Sequence, residues 1–171
     1  MKRVGWGRFP KFYIPNLDRE TQRIPISSVV LSSQRVALSD AVATVGKAKK
    51  TAATEAANPL VEDGVKLIPS VTRVFHSSGN MYVYLQAYEP DVATARPLLA
   101  YVSFFQNGVN VMDTRPSRVS EGLDPKSRML PIRLSFSLGN LRPGEYDCEV
   151  TVLDPAAKRG AFWRALVMVI P

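Results

Sequence analysis

The chain has one cysteine, Cys148, and one histidine, His76, among its 171 residues. A lone cysteine excludes an intrachain disulfide, and a lone histidine excludes the histidine clusters that hold transition metals. No Gly-x-Ser-x-Gly elbow occurs, and Ser77 and Ser78 beside His76 read as a turn, so a serine–histidine triad is not expected. Gly5, Trp6 and Gly7 lack the strand-to-helix context of a phosphate-cradling loop. No apolar run reaches the length of about 18 residues that a membrane-spanning helix needs. Met1, Lys2 and Arg3 are followed by Val4, Gly5, Trp6, Gly7 and Arg8 instead of an apolar stretch, so no signal peptide is expected in this chain.

Acidic residues are also few relative to basic ones: 15 Asp and Glu stand against 22 Lys and Arg, for a net charge of +7. The distribution decides what that excess means. Residues 1–35 hold seven basic and two acidic side chains, whereas residues 67–171 hold eleven and nine, well interspersed. The excess belongs to a leading arm without a basic helix or a known binding module, so no nucleic-acid partner is expected. Paired acids at Glu62–Asp63 and at Glu89 and Asp91 are too few for a calcium site and read as solvated loops. No metal, cofactor or catalytic residue is assigned.

What the sequence does have is β-strand pattern. In Leu141–Asp154, Pro143 and Gly144 suit the two central positions of a type II turn. Behind them Tyr146, Cys148, Val150 and Val152 share one face at period two, while Asp147, Glu149 and Thr151 take the other. A tyrosine two residues before a cysteine at the entry to a late strand is the arrangement of the tyrosine corner in immunoglobulin-like sandwiches, with Tyr146 as the structural corner. Its hydroxyl is expected to bond backbone a few residues upstream. Cys148 reads as buried filler and Trp163 as a core or sheet-covering residue.

Other strands follow the same logic. Ile26–Leu31 is β-branched and bounded by Pro25 and serines. Val71–Phe75 reads as an edge strand, and Met81–Tyr88 has the clearest alternation in the chain. Leu98–Gln106 and Val109–Met112 flank Asn107–Gly108, a strong hairpin signal. Ile132, Leu134, Phe136 and Leu138 alternate with polar residues, and Ala161–Ile170 makes a final strand. The expected fold is therefore all-β: an immunoglobulin-like antiparallel β-sandwich of about seven strands with an irregular N-terminal extension. Residues 1–64 are expected to form an N-terminal arm, a short strand and an Ala/Lys-rich excursion, with residues 1–11 disordered and 44–57 mobile. The sandwich then occupies residues 65–171.

Met81–Tyr88 also supplies the candidate contact site. Aliphatic Met81, Val83 and Leu85 suit a core better than phenols that need hydrogen-bond partners, which turns Tyr82, Tyr84 and Tyr88 outward as an aromatic stripe. That stripe is expected either to contact a partner protein or to be covered by residues 12–36 or a neighbouring strand.

The segments Pro15–Leu17, Ile26–Leu31, Asn58–Val61, Tyr82–Tyr84, Leu141–Asp154 and Phe162–Arg164 together resemble the β-rich region that follows the von Willebrand factor A-like domain in bacterial VWFA-related proteins, of the acidobacterial type. The resemblance covers most of residues 14–171. It implies an extracytoplasmic setting, a noncatalytic accessory or interaction role, and an A-like domain in cis or in trans as the protein partner. The family's adhesion motif, Asp-x-Ser-x-Ser, is absent: Asp40, Asp113 and Asp124 all lack paired serines. Two other functions stay open, a carbohydrate-binding β-sandwich module and an enzyme. An exposed aromatic platform would favour the first and a pocket of convergent ionisable groups the second.

Overall fold

The computed structural model describes residues 23–38, 58–89, 96–124 and 126–171. The expectations for residues 1–11, for Phe12–Ile14 and for the Ala/Lys-rich segment at 44–57 lie outside the described residues.

Strands dominate the described chain. Twelve are present: β1 (Val30–Ser32), β2 (Gln34–Ala37), β3 (Val61–Glu62), β4 (Val65–Ile68), β5 (Val74–His76), β6 (Asn80–Tyr88), β7 (Leu98–Gln106), β8 (Val109–Asp113), β9 (Ser117–Val119), β10 (Met129–Ser137), β11 (Gly144–Asp154) and β12 (Arg159–Ile170). They form three sheets, in the orders β1-β6-β10, β5-β12-β11-β7-β8 with β9 also on β7, and β2-β4-β3. All pairings between these strands are antiparallel except β5 with β12, which is parallel. Among the described residues no helix is long and apolar enough to cross a membrane.

The first two sheets share one core. Period-two alternation turns Met81, Val83, Leu85 and Ala87 of β6 inward, and they join Leu130, Ile132 and Leu134 of β10. From the larger sheet come Leu98, Ala100, Val102 and Phe104 of β7, with Tyr146, Cys148, Val150 and Val152 of β11 and Val167 and Val169 of β12. Phe104 ties the layers together, meeting Phe136 of β10 and Tyr146 of β11 edge-to-face at 6.0 and 6.3 Å between ring centres.

The β7–β8 hairpin is as the Asn107–Gly108 pair predicts. Both residues have positive φ, 53° and 78°, which a type I′ turn requires. Elsewhere the structure corrects the sequence reading. Gly144 has φ +157°, near extended, and starts β11 instead of occupying a type II turn centre. The tight turn comes earlier, where the Leu141 N–H donates to the Leu138 oxygen at 2.8 Å. A Cβ at Gly144 would come closest to the flexible end of the Gln106 side chain of β7, at 3.0 Å.

The first strand is shorter than its β-branched run suggests. Ile26 makes only an isolated bridge to Ala87, and continuous pairing with β6 waits until Val30. Val71 and Thr72 lie outside β5, which begins at Val74. The small sheet β2-β4-β3 is not anticipated by the pattern of about seven strands. The β3–β4 turn, Asp63–Gly64, takes φ of 49° and 72°. β1 pairs with β6 and β2 with β4.

Candidate functional site

The aromatic stripe of β6 is divided by its surroundings. Tyr84 is only 4% exposed, whereas Tyr82 and Tyr88 are half-buried. Strand β1 runs alongside, pairing Val30 with Tyr84 and Ser32 with Tyr82. The guanidinium of Arg133 sits 5.2 Å from the Tyr84 ring centre and that of Arg35 sits 5.5 Å from the Tyr82 ring centre. Arg133 is held in turn by Glu62 of β3, Nε to Oε2 at 3.1 Å. Burial raises the Tyr84 pKa, with the Arg133 charge acting in the opposite sense. Between the small sheet and this face lies a cavity of about 90 Å³, bordered by Leu60, Val65, Leu67 and Tyr82. The three tyrosines therefore do not form one open platform.

Tyr146 is 3% exposed and its hydroxyl donates to the Arg142 carbonyl oxygen at 2.7 Å. Cys148 is fully buried in the core, and burial pushes its thiol up to about 12. A thiol so placed is not a nucleophile. His76 Nδ1 lies 2.6 Å from the Pro171 oxygen, at the end of β12.

Ionisable groups also converge around Arg159. Arg159 Nη2 reaches Asp154 Oδ2 at 2.8 Å and Glu89 Oε2 at 3.1 Å, and both carboxylates are buried. Burial pushes the Asp154 carboxyl up, but the Arg159 guanidinium and the Ala157 N–H outweigh it and hold the group below its usual value. Two carboxylates share one guanidinium, which makes this an internal structural ion pair. Among the described residues no group of three or more His, Cys, Asp or Glu side chains is placed to hold a metal ion.

Among the described residues, exposed large apolar side chains are most numerous on β12, with Val109 and Val111 of β8 also exposed. The inward residues of β12 are Ala161, Val167 and Val169, with Trp163 half-buried, while Phe162, Leu166 and Met168 point outward at 65%, 55% and 38% exposure. Val74 of β5, next to Met168, is 38% exposed, and Val71 is 92% exposed. Arg164 lies between Phe162 and Leu166 and is anchored across the sheet: its Nε and Nη2 donate to Glu149 Oε2 at 3.2 and 2.8 Å. Its guanidinium also sits 5.2 Å from the Phe105 ring centre. An exposed apolar row flanking an ion-paired arginine has the composition of a protein contact core.

Beside this row, between β1 and β12, runs a groove of about 300 Å³ lined by Val29, Leu31, Pro69, Val71, Arg73 and Trp163. Arg73 has φ +55°, and its guanidinium is 5.9 Å from the Trp163 ring centre. Sequence reasoning missed this face, although Ala161–Ile170 signals it. Large apolar residues occur on both sides of that alternation, and one set must lie away from the core.

No protein-family model and no curated protein matches this chain.

Proposed function

We propose that this chain is a noncatalytic interaction domain of immunoglobulin-like sandwich type, which makes protein contacts through the outward face of β12. The observation that carries the reading is the row Phe162, Leu166 and Met168, exposed on a rigid strand that is hydrogen-bonded along its length to β11. An apolar row on a strand whose backbone is already ordered by pairing suits a contact surface. The immunoglobulin-like assignment draws support from the strand order β5-β12-β11-β7-β8 facing β1-β6-β10, from the parallel β5–β12 pair, and from the Tyr146 hydroxyl on the Arg142 oxygen.

The resemblance to VWFA-related proteins suggests the partner, an A-like domain in cis or in trans, and an extracytoplasmic setting. Calorimetric titration of the full chain with a purified A-like domain from the same source tests the proposal. Saturable binding that Leu166→Glu weakens is the expected result. Absence of binding, or binding indifferent to Leu166→Glu and to Phe162→Glu, overturns it.

A further inference from the structure

The backbone of β12 carries an opening that its side chains alone do not disclose. Neighbouring residues of a strand send their N–H and C=O groups to opposite sides, so residues of one parity share an edge. On β12 the even residues face away from β11: Met168 N–H donates to the Arg73 oxygen at 2.9 Å, Ile170 oxygen accepts from Ser77 N–H at 2.8 Å, and Gly160 oxygen accepts from Ile24 N–H at 3.2 Å. Between those fixed points lie Phe162, Arg164 and Leu166. Among the described residues, nothing pairs with their three N–H and three C=O groups.

We propose that this gap is an acceptor slot for a short extended peptide segment of a partner protein, added as a strand along Phe162–Leu166. The inference rests on the reading of β12 as a contact surface and specifies its mode. Inward side chains of the added strand enter the groove beside Trp163, and outward ones cover Phe162 and Leu166. The slot is closed at one end by the Ile24–Gly160 bond and at the other by the Arg73–Met168 bond, which limits the paired segment to about five residues at roughly 3.3 Å each.

Charge defines the occupant further. Arg73 stands at the closed end over Trp163 and has no carboxylate partner among the described residues, whereas Arg164 is already neutralised by Glu149. The chain as a whole carries +7. An apolar segment bearing one acidic residue, placed to meet Arg73, is thus complementary. A second copy of this chain is not, because it brings a like net charge and a β12 strand too long for a slot bounded at both ends.

The test uses the full chain, labelled with ¹⁵N, and three blocked five-residue peptides of alternating valine and threonine. One ends in glutamate, one in glutamine, and one is the glutamate peptide with alternate amides N-methylated. The glutamate peptide is expected to shift the Phe162, Arg164 and Leu166 amide signals saturably and to slow their hydrogen exchange. The glutamine peptide, or Arg73→Gln in the protein, should weaken binding about two- to fivefold, and N-methylation should abolish it. No saturable change at these amides with millimolar glutamate peptide, or equal binding by the N-methylated peptide, overturns the slot. If the A-like domain binds in a Leu166-dependent way while the peptides do not, the contact surface stands and the strand-addition mode fails. If neither binds, both fail.

Discussion

The Tyr146 hydroxyl donates to the backbone oxygen of Arg142, four residues upstream, at 2.7 Å, and the ring above it meets Phe104 edge-to-face. That single bond fixes the chain's entry into β11, the strand that pairs with both β12 and β7. Tyr146→Phe keeps the ring and leaves the carbonyl without its partner, so stability should fall by about 1–3 kcal/mol. Equilibrium urea unfolding measures the loss. An unchanged midpoint would show that the bond does not anchor the corner.

The Arg159 cluster should be more sensitive. Arg159→Met removes the one guanidinium shared by Asp154 and Glu89 and leaves two buried carboxylates facing each other. Breaking a buried pair in this way costs about 3–5 kcal/mol. In the wild-type chain the Asp154 carboxyl is held below its ordinary value of about 3.9. Its contribution to stability is therefore complete above that value and is lost as pH falls through the lower folded-state value. Urea midpoints compared at neutral and acid pH should differ most between wild type and variant at neutral pH; a gap that widens in acid would contradict this account.

Cys148 provides an internal reporter of opening. With its thiol pushed up to about 12 and no exposure, it should not react with an aromatic disulfide reagent in the folded chain and should react at once in concentrated urea. Labelling in the native state as fast as that of a free thiol would mean that β11 is not packed as described.

The strands legible in the sequence are those whose two faces differ in chemistry. β6, β10 and β11 alternate apolar with polar or aromatic residues, and the structure turns Met81, Val83 and Leu85, Leu130, Ile132 and Leu134, and Cys148, Val150 and Val152 inward. The Asn107–Gly108 turn was equally plain, because few residue pairs accept two positive φ angles. The small sheet is not legible in the sequence because its strands are two to four residues long, too short to show a period. Its consequence for the site was equally hidden: Glu62 reaches Arg133, and Arg133 covers Tyr84, through contacts far apart in the chain. The β12 surface was illegible for a different reason. Where both faces of a strand are apolar, only the tertiary arrangement decides which one meets solvent.

On the proposed reading, partners meet the chain at β12 and not at the tyrosines of β6. Hydrogen exchange of the full chain, alone and saturated with an A-like domain, tests it most directly. Slowed exchange across Phe162–Met168 with Tyr82–Tyr88 unchanged is the expected result. Protection confined to Tyr82–Tyr88, with β12 exchanging as in the free chain, would contradict it.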